Sequence, residues 1–237
     1  MNQKQLLTRV RQELKKYVDV GYREAEKRFF KEKIHNLGVR VPNRRKIARE
    51  LFKEIKDLDK KEVFEIVEKL LQGYGEESTV AFAWLYRIKD QYEKKDFKVF
   101  SRWVKQYVDN WGKCDDFCTH SVGHLVYLYP ELTKELLKWA ESSNRWVKRA
   151  AAVSLIYPFG KKKKYLKTII KVAEKLLIDE DDMVQKGYGW MLKEASKPHQ
   201  KEVFEFVMKH KDKMPRTALR YAIELMPKGL KKQAMAK

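Results

Sequence analysis

Apolar residues recur at spacings of three and four along almost the whole chain. Leu6, Leu7, Val10, Leu14 and Val18 form one stripe, and Val63, Ile66, Val67, Leu70 and Leu71 form another. Leu132, Leu136, Leu137, Trp139 and Ala140 continue the pattern. This is the period of a helix with one buried face, and no segment alternates with the period of two that a half-buried strand requires. Breaks are expected at Gly21, 38–42, 73–77, 109–112, Pro130, 158–164, Pro198 and Pro215, where Gly, Pro or polar clusters interrupt the stripes. They separate roughly a dozen helices of ordinary length.

The helices also resemble one another. Segments 145–159, 182–196 and 213–227 each start polar, carry an early basic residue, place small residues mid-helix and end apolar. Val147 and Val184 stand 37 residues apart, and segments 78–89 and 114–128 read as looser copies. A period in the thirties with two helices per unit predicts an all-α fold, a curved α-solenoid of HEAT-like helix pairs. A compact helical bundle is the alternative. Ala150 to Ala152, Gly187 and Gly189 let the second helix of each pair approach its neighbour closely. Residues 1–237 read as a single domain.

In such a solenoid the second helices line a concave face. Arg44, Arg45, Lys46, Lys148, Arg149, Lys186 and Arg216 lie near helix starts and would gather there into a basic groove. Free N–H groups at those starts would add to its attraction for phosphate.

Composition strengthens that expectation. The 53 Lys and Arg against 33 Asp and Glu give a net charge of +20 and a pI near 9.7. A polyanion is the simplest partner, because each neutralised phosphate releases condensed counterions. Charged residues reach 36%. That resembles a thermophile surface rich in both signs, but such enrichment does not explain so large an excess of one sign. Hydrophobic residues at 43% exclude global disorder. Mean hydropathy is −0.66, and no run approaches the ~18 apolar residues of a membrane span. The segment 1–17 lacks the apolar block of a signal peptide. Two Cys leave no disulfide framework. A cytoplasmic, nucleoid-associated monomer without membrane contact is therefore expected.

Several motifs that could carry chemistry fail on inspection. Gly73-Tyr74-Gly75 is not a dinucleotide fingerprint, and Lys161 to Lys164 lack the rest of a P-loop, leaving a solvated loop with a phosphate role. Cys114, Cys118, His120 and His124 have metal-like spacing. On one helix the Cys pair and the His pair face different ways, so buried Cys and surface His are expected. Asp179 to Asp182 read as an acidic helix start. No metal and no cofactor are implied.

Trp111 and Asp115 remain. Asn110 is a suitable helix cap, and a residue four positions after Trp111 shares its side of the helix. Asp116 points about 100° away. A second tryptophan, Trp190, is expected at a helix start beside Gly187 and Gly189, with Arg149 on the repeat before it. The plain account makes both tryptophans core and Asp115 part of a cap. An acid in an otherwise basic groove opposes DNA binding, however, and calls for a reason.

The segments 35–50, 110–125, 144–153 and 184–195 together resemble AlkD-type DNA alkylation repair glycosylases, a HEAT-like-repeat family, over nearly the whole chain. The resemblance implies that Asp115, four residues after Trp111, is the catalytic carboxylate. It implies that Arg149 and Trp190 belong to the same cleft. The implied substrate is duplex DNA carrying N3- or N7-alkylated purines, whose positive charge makes them good leaving groups in base excision repair. The implied contact is from the backbone side of the lesion, without a deep base pocket. Two departures stand out. The aromatic before the Gly38–Pro42 segment is Phe29 or Phe30, not Tyr, and a Trp–Trp pair of some members is Asn110–Trp111 here. A non-catalytic DNA-binding HEAT protein and a scaffold for an acidic protein partner are the alternatives.

Overall fold

The computed structural model describes residues 2–157 and 165–236. Among them there is no strand, and an isolated bridge joins Val18 to Val39. The chain divides into two compact units, Met1–Phe117 and Cys118–Lys237. The Lys161–Lys164 run lies outside the described residues. No described helix is long and apolar enough to cross a membrane.

The first unit contains α1 (Gln3–Lys15), α2 (Val20–Glu26), α3 (Val41–Leu51), α4 (Lys60–Leu71), α5 (Gly75–Arg87), α6 (Asp96–Tyr107) and α7 (Trp111–Phe117). Helix α1 starts with a capping box in which Asn2 and Gln5 satisfy each other's backbone N–H groups. It buries Leu6, Val10 and Leu14. Val18 falls beyond the end of α1, in the bridge to Val39, and is exposed. Gly21 does not break the chain: it sits in the first turn of α2, whose cap is Asp19, accepting from the Tyr22 N–H at 2.8 Å. All five residues of the second stripe are buried in α4. Helices α4 and α5 form a pair, and α3, α5 and α7 lie side by side in turn. The Trp84 indole N–H donates to the Ala48 carbonyl at 2.7 Å and ties α5 to α3. Phe82 stacks on Phe117 with centroids 4.8 Å apart, tying α5 to α7.

The second unit starts with a π-helical turn, Cys118–Val122. It continues with α8 (Gly123–Leu128), α9 (Thr133–Trp139), α10 (Arg145–Val153), α11 (Leu166–Lys175), α12 (Asp182–Ser196), α13 (Gln200–His210), α14 (Arg216–Ala222) and α15 (Lys228–Met235). Helices α9 and α10, α11 and α12, and α13 and α14 pack as pairs, and α10, α12 and α14 lie side by side. Segment 182–196, expected to be the second helix of a pair, coincides with α12. The all-α fold of stacked helix pairs expected from the period is the one found.

Candidate functional site

In the first unit the site is built at the start of α7. Asn110 caps it: its side-chain oxygen accepts from the Lys113 N–H at 3.0 Å and its amide donates to Asp109 at 2.7 Å. Lys113 closes the group with an ion pair to Asp109 at 2.8 Å. Asn110 thus has a structural task, satisfying the Lys113 backbone N–H as a tryptophan there could not.

Trp111 is not core. It is partly exposed, and its ring is held from two sides. The indole N–H donates to the Phe29 carbonyl at 3.0 Å, and Phe30 stacks on the ring at 5.0 Å and 12°. Phe30 is therefore the aromatic partner, while the Phe29 side chain is 72% exposed. A β-carbon at Gly112 would lie 3.2 Å from the Asn110 side-chain oxygen that caps the helix and in ordinary contact, 3.7 Å, with the Phe30 ring. One turn on, Asp115 and Asp116 are both partly accessible, whereas Cys114 and Phe117 are fully buried. Only Asp115 has the i,i+4 relation to Trp111 that puts a carboxylate over the same face as the indole.

The segment carrying Phe29 and Phe30 is anchored by a buried ionic cluster that no sequence pattern announces. Glu26 accepts from Arg44 at 2.7 Å and from the Asn36 amide at 2.8 Å. Glu76 is fully buried and accepts from the backbone N–H groups of Leu37 (3.0 Å), Gly38 (2.9 Å) and Val39 (3.0 Å). Arg44 lies 3.4 Å from Glu76 and also donates to the Val39 carbonyl. Gly38 has φ +97°, and a β-carbon there would meet the Asp19 carbonyl at 2.5 Å, so only glycine closes this turn. The sequence places Arg44 among the residues facing DNA. It faces inward instead, 6% exposed, and locks the loop in place.

In the second unit α12 carries Trp190. Trp190 is the ninth residue of this helix, mid-helix and not at its start, and it is partly exposed. Asp181 caps the helix, accepting from Met183 N–H at 2.8 Å and Val184 N–H at 3.3 Å, as an acidic helix start should. Arg149 is 6% exposed, donates to the Met183 carbonyl at 2.5 Å, and runs its stem across Gly187. A β-carbon at Gly187 would lie 3.0 Å from Arg149 Cγ. Trp190, three residues after Gly187, shares that side of the helix. Gly189 faces the other neighbour, α14: a β-carbon there would come within 2.7 Å of Tyr221 Cβ and 2.9 Å of the Ala218 carbonyl. Between the two glycines Tyr188 is buried, with its hydroxyl donating to the Leu177 carbonyl at 2.9 Å. Burial pushes its phenol well above the ordinary range.

A family model for DNA alkylation repair enzymes matches residues 10–226. The chain belongs to the DNA alkylation repair enzyme family. A solved structure described as a "predicted DNA alkylation repair enzyme from Enterococcus faecalis" shares the fold, with a TM-score of 0.77. It is 20% identical, over 86% of this chain and 94% of that one. A comparison with curated proteins returns no match.

Within this DNA alkylation repair family member, the other basic candidates divide into two groups. Arg45, Lys46 and Arg216 are exposed or half-exposed, Lys46 leaning on Tyr17 with 3.3 Å between its ammonium and the hydroxyl. That hydrogen bond raises the Lys46 pKa above its ordinary value. Lys148 pairs with Asp179, and Lys186 pairs with Asp182 at 3.2 Å. Of the four residues with metal-like spacing, Cys114 and Cys118 are buried and His120 is exposed. His124, expected at the surface, is 5% exposed, with its ring nitrogen 3.0 Å from the Tyr157 hydroxyl. Four successive residues of α8, Gly123 to Val126, are buried, so the start of this helix is enclosed on all sides and offers His124 no surface face.

Proposed function

We propose that this protein is a DNA glycosylase that releases cationic N3- or N7-alkylated purines from duplex DNA. The observation that carries the reading is the Trp111–Asp115 pair, with its indole fixed by Phe29 and Phe30 and a partly accessible carboxylate one turn away. As the N-glycosidic bond lengthens, positive charge develops on the deoxyribose. Asp115 stabilises that charge from a fixed position and orients the attacking water. Trp111 presents a ring face to the cationic sugar, worth ~1–2 kcal/mol; the resemblance assigns Trp190 the same kind of role. The alkylated base already carries a positive charge, so no strong acid is needed for its departure.

Phosphate contacts fall first to Arg45, Lys46 and Arg216, which reach solvent. Lys148 and Lys186 join by exchanging Asp179 and Asp182 for phosphate. Arg149 contributes positive potential beside Trp190 while held by the Met183 carbonyl. The assignment of duplex DNA as substrate is supported by the family and by the net charge of +20.

The test is release of free 7-methylguanine and 3-methyladenine from methylated duplex DNA, with EDTA present and Asp115→Asn in parallel. The wild type should release both, and the variant should bind DNA but lose at least about a hundredfold in rate. Wild-type rates in the variant would remove Asp115 from the mechanism. Salt-sensitive binding with no release by the wild type would leave a DNA-binding protein without glycosylase chemistry.

A further inference from the structure

Phe29 is 72% exposed, and a ring that projects so far into water contributes little to folding. A single exposed apolar residue is ordinary, but its mounting here is not. It ends a 3-10 turn, Lys27–Phe29, closed by the Phe30 N–H on the Lys27 carbonyl at 3.2 Å. The Phe29 carbonyl accepts the Trp111 indole N–H, and the next ring, Phe30, is stacked on Trp111. Glu26 and Asn36 clasp the two ends of the loop at 2.8 Å. The backbone that carries the ring is thus fixed, adjacent in the chain to the residues that hold Trp111.

Its surroundings are basic. The sequence around it reads Lys27-Arg28-Phe29-Phe30-Lys31-Glu32-Lys33; Arg28, Lys31 and Lys33 are exposed, and Lys27 is exposed and paired with Glu24 at 2.6 Å. A cavity of about 690 Å³ beside the loop is lined by Arg23, Lys27, Lys31 and Lys33, with the Glu32 carboxylate among them. An exposed apolar side chain framed by cations matches a nucleic acid strand: phosphates meet the cations and a base step meets the ring. A protein partner offers no comparable alternation of dense negative charge and flat apolar faces.

We infer that Phe29 is an apolar wedge that inserts at a base step of bound duplex DNA, unstacking it beside the site where Trp111 and Asp115 act. The inference rests on the proposed glycosylase reading for its substrate, and it adds a contact to the base stack. Insertion opens the step and kinks the duplex, so the sugar at the lesion becomes accessible without a pocket for the base.

The experiment uses a duplex with 2-aminopurine next to a tetrahydrofuran abasic analogue, titrated with the full chain. Unstacking raises 2-aminopurine fluorescence. Wild type should give a saturable rise. Phe29→Ala should lose most of that rise and bind roughly tenfold more weakly, with an unchanged melting temperature because the ring is exposed. Phe29→Leu, still an apolar wedge, should keep most of the rise. An Ala variant that binds and gives the full rise overturns the wedge, as does a wild-type complex with no rise. If the wild type releases alkylpurines but shows no Phe29-dependent signal, only the wedge falls. If it binds no duplex at all, the glycosylase reading falls with it.

Discussion

In the first unit Trp111 is held by a hydrogen bond and a stack from a loop, and the loop is held by buried charges. In the second unit Trp190 rides on a regular helix whose neighbours close in against two glycines. Both arrangements hold a tryptophan, but their physics differs. The loop has no regular backbone pairing of its own, so Leu37, Gly38 and Val39 must find acceptors elsewhere, and Glu76 supplies them. Helix α12 satisfies its backbone internally and needs only close approach, which Gly187 and Gly189 allow. Directional bonds tolerate an irregular segment but fail abruptly when one partner goes. Close packing is less specific and fails in proportion to the clash.

The largest expected effect breaks the first arrangement. Glu76→Ala leaves the Arg44 cation short of a partner and three backbone N–H groups without acceptors in a fully buried place. Removing one partner of such a buried cluster costs about 3–5 kcal/mol, a large share of the stability of an ordinary domain. Urea unfolding should show this loss, and Glu76→Gln, which keeps an acceptor, should lose less. A cost below about 1 kcal/mol for the alanine variant would mean that the loop is held by something other than this carboxylate.

The second arrangement should be less brittle. A β-carbon at Gly189 meets Tyr221 Cβ and the Ala218 carbonyl, neither of which is the free end of a flexible chain. The clash costs about 1–3 kcal/mol, against about 1 kcal/mol that alanine gains over glycine inside a helix. Gly189→Ala should therefore destabilise by up to about 2 kcal/mol. At Gly187 a β-carbon meets Arg149 Cγ at 3.0 Å, a milder overlap than at Gly189, so Gly187→Ala should cost less than Gly189→Ala. Thermal unfolding of both variants checks the order. A stabilised Gly189→Ala would show that α12 and α14 are not in close contact through this residue.

Legibility in the sequence divides along the same line, between local and distant partners. The stripe Val63, Ile66, Val67, Leu70 and Leu71 lies wholly inside one face of α4, because burial and helical period constrain one another locally. The Asn110 cap and the acidic start at Asp181 are equally legible, since a cap acts within three residues. Arg44 is not. Whether an arginine near a helix start faces water or a carboxylate depends on Glu26 and Glu76, which lie 18 and 32 positions away in sequence. The choice between Phe29 and Phe30 has the same character, because it is settled by contact with Trp111 across a long stretch of chain. His124 defeats a purely helical count because the start of α8 is buried on every side, and that enclosure depends on distant elements such as Tyr157, whose hydroxyl meets its ring.

The smallest effect sharpens the contrast through pH. The first unit also uses a carboxylate between α4 and α6: Glu68 takes a forked pair of hydrogen bonds from Arg102 and a third from Tyr107 at 3.0 Å. The Arg102 hydrogen bonds dominate and hold the Glu68 pKa down at about 2, against an ordinary 4.5. A carboxylate lowered on folding adds stability above its unfolded pKa and loses it as pH falls through the folded one. The loss should therefore run from about pH 4.5 to about pH 2. Arg102 is 48% exposed, so solvent screens the pair and the contribution should stay below about 1 kcal/mol. Glu68→Gln should flatten that part of the stability curve by lowering the neutral region by less than about 1 kcal/mol, with stability below about pH 2 unchanged. An identical acid slope in variant and wild type would assign the acid sensitivity of this unit to other carboxylates and leave the Glu68 fork without a measurable share.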